Sequence, residues 1–194
     1  MARGKDRKRR ITERRPGTST KAPPMSHART FELGLAKARE EQNPRVALAL
    51  FQAALDACQH IAAVSVFEGE ANRLWDLPDG RLYLEALFGT ASSLRHLDRR
   101  EAAADRFREL LQLDSSDQQF ACYWLTASLF DLERHDELKQ LLERYEEPTA
   151  VWRYAQALLA FRLGGDTDDA QRLLQEARQL DAGFLDYSPS SVCL

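Results

Sequence analysis

The sequence predicts an all-α fold, a stack of about four antiparallel helix pairs. Three observations predict it. Ala and Leu recur at three- and four-residue spacing from about Thr30 to Asp181, no segment alternates convincingly at period two, and one apolar skeleton returns at intervals near 34 residues. The first two give the helical class, and the third groups the helices into repeating pairs.

The elements follow in order. "TFELGLAKAREEQ" and "PRVALALFQAALDACQHIAAVSVF" make a first pair. Between them Asn43 is suited to cap the second helix, with Pro44 at the first helical position, where its missing N–H is no loss. "EGEANRLWDLPDGR" carries turn chemistry, with "PDG" marking a turn near Asp79. "RLYLEALFGTASSLRHL" and "REAAADRFRELLQL" make a second pair, followed by Ser115 or Ser116 as a cap with Gln118 or Gln119 at capping-box spacing. "QFACYWLTASLFDL" with "HDELKQLLERY" makes a third, and "AVWRYAQALLAFRL" with "TDDAQRLLQEARQL" a fourth. In the last, Gly164 or Gly165 supplies a left-handed helix end.

The repeat is visible in "LDRREAAADRFRELLQLDSSD", Leu97 to Asp117. Ala103, Leu138 and Ala170 are equivalent anchors, 35 and 32 residues apart. Phe107, Leu142 and Leu174 follow four residues later, then Leu110, Tyr145 and Ala177. An earlier copy supplies Ala47, Phe51 and Ala54, separated from Ala103 by one repeat plus an insertion at about 58–79. Small anchors let two helices approach closely, and the large residues fill the space between successive pairs. One pair cannot bury its own apolar face, so several must pack together.

This pattern of a turn, an Ala, an aromatic four residues on and a closing Leu-Asp resembles the second half of a tetratricopeptide repeat. The resemblance covers about Thr30 to Asp181 and is carried best by the second repeat, although Asp98 stands at the usual turn glycine and Leu138 at a small anchor. The chain is also similar to uncharacterised bacterial tetratricopeptide proteins. The resemblance implies a right-handed superhelical stack that acts as a non-catalytic scaffold or adaptor and binds a peptide or protein in a concave groove lined by the first helix of each pair. On that register the groove draws on Glu85, Phe88, Ser92 and Arg95, then on Phe120, Tyr123, Trp124, Ala127 and Phe130. Phe88, Arg95, Tyr123, Trp124 and Phe130 are the expected binding residues, since aromatic and Arg side chains dominate interface hot spots. The competing reading places most of these aromatics in the core. Where relatives of this family grip a ligand carboxylate with Lys and Asn, this chain has Phe88 with Ser92 and Tyr123 with Ala127, so no carboxylate clamp is expected.

Composition sets the outer bounds. The chain has 194 residues, 44% hydrophobic and 29% charged, enough for one domain plus tails. No run approaches the roughly 18 apolar residues of a membrane span, and no apolar stretch follows the basic start as in a secretory signal. Cys58, Cys122 and Cys193 are odd in number and widely spaced, as expected of reduced thiols in the cytoplasm.

The net charge of −3 conceals an asymmetry. Residues 1–30 hold ten Lys or Arg against Asp6 and Glu13, a net +8, leaving 17 cations and 28 anions, a net −11, for the rest. Residues 1–28 read as a disordered basic arm, 29–186 as the helical-repeat domain, and 187–194 as a disordered tail. In the arm, Arg7, Lys8, Arg9, Arg10, Arg14 and Arg15 offer the alternative function, non-specific nucleic-acid or ribosome association through phosphates. A solubilising tail is the plain alternative.

No phosphate loop, nucleophile elbow, zinc-ligand pair or dinucleotide fingerprint occurs, so neither catalysis nor a cofactor is expected. The acidic "GGDTDDA" at Gly164–Ala170 fits a helix start, where the backbone dipole favours carboxylates, better than a metal site.

Overall fold

The computed structural model describes residues 27–58, 71–145 and 147–185. The basic arm up to residue 26, the tail from 186 and most of the insertion fall outside them. Among the described residues all regular structure is helical: α1 (His27–Glu40), α2 (Pro44–Ala57), a 3-10 turn (Ala71–Asp76), α3 (Pro78–His96), α4 (Arg100–Leu113), α5 (Ala121–Asp131), α6 (His135–Arg144), α7 (Ala150–Gly164) and α8 (Asp168–Leu185). No helix among them is long and apolar enough to cross a membrane.

The helices pack in chain order, each against the next. The α3–α4 pair is antiparallel: a three-residue link joins the end of one to the start of the other, while Tyr83 near the start of α3 reaches Glu109 near the end of α4 at 3.5 Å. Alternate helices also touch. Arg95 of α3 meets Asp131 of α5 at 2.9 Å, and Tyr123 of α5 packs its ring on Trp152 of α7 at 5.3 Å. These contacts set α3, α5 and α7 side by side in one row. In the other row, Arg108 of α4 forks onto Glu137 of α6, holding that carboxyl below its ordinary range.

The links explain where the helices stop. Asp98, Glu133 and Gly165 each lie in a hairpin turn five residues before the anchors Ala103, Leu138 and Ala170, and all have positive φ, 59°, 57° and 75°. Only the last is the glycine that this backbone favours. Asn43 caps α2 as expected, its side chain accepting from Arg45 N at 3.0 Å with Pro44 in the first turn.

Two local expectations are corrected. Neither Ser115 nor Ser116 caps α5. Asp117 does so, accepting from Ala121 N at 2.6 Å and Cys122 N at 3.0 Å, because Asp114 already holds Ser116 N and Gln118 N in the preceding turn. "PDG" is the first turn of α3 rather than a separate turn, with Pro78 leading it. There Gly80 permits close packing, since a Cβ would lie 2.0 Å from the Leu74 carbonyl oxygen. The end of the expected insertion thus returns to the core through Leu74, which is fully buried.

The repeat anchors form the seam of the core. Ala47, Phe51 and Ala54, then Ala103, Phe107 and Leu110, then Leu138 and Leu142, then Ala170 and Ala177 are all buried. Tyr145 packs partly buried against the same cluster. Burial of one such large side chain contributes about 1.5–3 kcal/mol, so these few positions carry much of the driving force for pairing.

Candidate ligand groove

Side by side, α3 and α5 leave one strip of each helix in partial contact with solvent. On α3 it holds Glu85, Phe88, Ser92 and Arg95, and around α5 it holds Phe120, Tyr123, Trp124, Ala127 and Phe130. Both helices bury most of their remaining residues, so the open strip is the only part of either helix available to a ligand along most of its length.

The five expected binding residues separate into three groups. Phe88 and Trp124 come together edge to face at 6.0 Å, and both contact Phe107 beneath them, at 5.9 and 6.2 Å. Trp124 remains 37% exposed on this platform. Tyr123, one residue and about 100° of helix away, turns instead toward α7. There its ring packs on buried Trp152, its hydroxyl lies 3.0 Å from Thr149 Oγ1, and burial pushes its phenol above the usual range. Phe130 also faces α7, with the Arg162 guanidinium over its ring at 5.2 Å. Arg95 is engaged within the protein: it donates to Ser128 Oγ at 3.1 Å and pairs with Asp131.

The strip contains a strained residue that the sequence does not disclose. Phe120 precedes α5 with φ 55° and ψ 37°, a left-handed conformation costly for a bulky side chain, and its ring is 62% exposed. The Asp117 carboxylate and the Phe120 N–H donating to Asp117 O at 2.9 Å hold the turn in this shape. The Phe120 ring meets Tyr123 edge to face at 6.2 Å, while Trp124 and Phe88 form the separate pair over Phe107, with exposure falling from Phe120 through Trp124 to Phe88. Beyond Phe88, a cavity of about 440 Å³ opens between α1, α2 and α3 over Phe51 and Gly89, spanned by the Arg39–Glu85 ion pair.

The electrostatics of this surface are largely self-contained. Arg39 meets Glu85, and Arg95 meets Asp131. An apolar or mixed ligand suits such a face better than a free carboxylate does, because no unmatched cation dominates it. Elsewhere, burial raises the thiol pKa of both Cys58 and Cys122, making them poor nucleophiles. Burial also raises the Tyr83 phenol to about 12. Among the described residues, no three His, Cys, Asp or Glu side chains gather as a metal site. Asp169 at the start of α8 pairs with Arg172, and Asp166 accepts from Gln171. Arg7, Lys8, Arg9, Arg10, Arg14 and Arg15 lie outside the described residues. No family model, curated protein or solved structure matches the chain.

Proposed function

We propose that the chain is a non-catalytic cytoplasmic adaptor of the tetratricopeptide-like kind, a right-handed stack that binds an extended peptide or protein segment on the face of α3 and α5. The supporting observation is the exposed Phe120 ring, held in a strained backbone at the start of α5 and packed edge to face on Tyr123, one turn before the exposed Trp124 that meets Phe88. Strain of this kind costs folding energy and persists where surrounding contacts enforce it, often at binding sites. Phe120, Trp124, Phe88 and Phe130 are the binding residues in this reading. Arg95 and Tyr123 position the helices that carry them.

The test exploits the strain. Peptides are selected against the full-length chain from a random display library, and their affinities are compared for wild type, Phe120→Gly and Trp124→Ala. Phe120→Gly should leave thermal stability unchanged or raise it by up to about 1 kcal/mol, while weakening binding about tenfold or more. Equal affinity for all three proteins would overturn the groove reading.

A second reading rests on the +8 arm and the −11 remainder of the chain. If the arm contacts phosphates, nucleic-acid binding should fall steeply with salt and vanish when Arg7, Lys8, Arg9 and Arg10 become Ser. Retained binding in that variant would reject it.

A further inference from the structure

The terminal pair leaves open a face that the inner pairs bury. The 32 residues from Leu138 to Ala170 align Cys122, Thr126 and Leu129 of α5 with Tyr154, Leu158 and Phe161 of α7, and the 35 from Ala103 to Leu138 align Leu87, Ala91 and Leu94 of α3 with the same positions. All six residues in α3 and α5 are buried, at 7% exposure or less, whereas their α7 counterparts are 36%, 44% and 54% exposed. Val151, 63% exposed, extends the row toward the start of α7. Beside it, Tyr154, Ala157, Leu158 and Phe161 of α7 and Ala170 and Leu174 of α8 line an open cavity of about 360 Å³, where Asp166 is the one charged group among the described lining residues.

We infer that the chain's own residues 186–194 occupy this face, running as an extended segment from the end of α8 back along α7 to Phe161. The first support is where the segment starts. A three-residue link joins α7 to α8, and Arg153 meets Glu176 across the antiparallel pair at 3.7 Å. From Glu176, α8 continues nine residues to Leu185, about 13 Å, while Arg153 is three residues, about 4.5 Å, from the start of α7. The end of α8 therefore lies about 9 Å beyond the start of α7. A segment returning from there meets Val151 first, then Tyr154, Leu158 and Phe161.

The second support is length. Phe161 lies eleven residues into α7, about 16 Å from its start and so about 25 Å from the end of α8. The nine residues 186–194 span about 30 Å when extended but only about 14 Å as a helix. Only the extended form covers the row, and Pro189 favours it by keeping Ser188 out of the helical region.

The third support is chemistry. Asp186 is the one charged side chain of the segment, which also carries Tyr187, Val192, Cys193 and Leu194. At about 3.3 Å per residue, Tyr187 comes level with Val151, and Val192 and Leu194 come level with Leu158 and Phe161. Two residues apart, Val192 and Leu194 share one side of an extended segment and face the cavity together. Tethering gives the segment a roughly millimolar effective concentration, so a contact this small suffices. Residues 1–26 suit the face less well, because they carry nine cations against two anions and charges are costly to bury on an apolar surface.

The test is solution NMR of the full chain at two concentrations. In wild type, the backbone order parameter at Val192 should be near the rigid value of about 0.85. Nuclear Overhauser contacts should join the Val192 and Leu194 methyls to the Tyr154 and Phe161 rings, unchanged on dilution. Leu158→Ser with Phe161→Ser should lower the order parameter at Val192 below about 0.6, with an unchanged helical circular dichroism spectrum. Val192→Ser with Leu194→Ser alters the segment and leaves the helices intact. It should lower the order parameter at Cys193 by a similar amount and shift the Leu158 methyl resonances. A wild-type value below about 0.6 at Val192 would overturn the inference, as would a segment that stays ordered in the Val192, Leu194 variant. So would contacts to Leu158 and Phe161 made instead by residues 1–26 or, in a mixture of differently labelled chains, by a second copy.

Discussion

The α3–α4 pair and the α7–α8 pair are built on the same plan and end in different surroundings. Each has a first helix, a turn with one residue at positive φ, and a second helix entered through an Ala anchor, Ala103 or Ala170. In the inner pair, Phe107 four residues past the anchor is fully buried between neighbours on both sides. In the outer pair the equivalent Leu174 is only half-buried and borders an open cavity. The same local code thus produces a core position where a further pair packs over it and a half-buried position where, among the described residues, none does. Repeat register predicts which side a residue faces, and neighbours decide whether that side is covered.

The largest expected effect tests this difference directly. Phe107→Ala should cost about 3–5 kcal/mol in urea unfolding and shift Trp124 fluorescence, because the Phe107 ring supports that indole. Leu174→Ala should cost about 1–2 kcal/mol. Equal costs would mean that the outer pair is as fully packed as the inner one, and the comparison would fail.

A smaller effect sharpens the comparison at the turns. Gly165→Ala should destabilise by about 1 kcal/mol, since φ there is 75°. Asp98→Gly and Glu133→Gly should stabilise by up to about 1 kcal/mol each. The exposed Asp98–Arg100 ion pair lost in the first offsets little of that gain. Thermal unfolding of the three variants reads the signs. An Asp98→Gly variant less stable than wild type would show that its carboxylate, rather than its backbone, sets that turn.

Much of the helical arrangement was legible in the sequence because helix pairing depends on local spacing. Ala103 with Phe107, Ala47 with Phe51, and the Asn43-Pro44 start of α2 all express periodicity or cap chemistry within a few residues. The α5 cap was not legible, since Asp114, Ser115, Ser116 and Asp117 are all competent and the folded loop assigns the role to Asp117. The candidate groove was legible only as a set. Tyr123 and Trp124 are adjacent in sequence, yet the first packs toward α7 and the second toward α3. Arg95 loses its freedom to Asp131, a pairing across 36 residues that no local pattern announces. The left-handed Phe120 is likewise a product of the loop as folded, not of its composition.

The most direct test of the central claim is chemical-shift mapping of the full chain with the tightest selected peptide. Perturbations concentrated at Phe88, Phe120, Trp124, Ala127 and Phe130 are the predicted result. Perturbations confined to Val151, Tyr154, Leu158 and Phe161, with α3 and α5 unchanged, would contradict it and move ligand binding to the terminal pair.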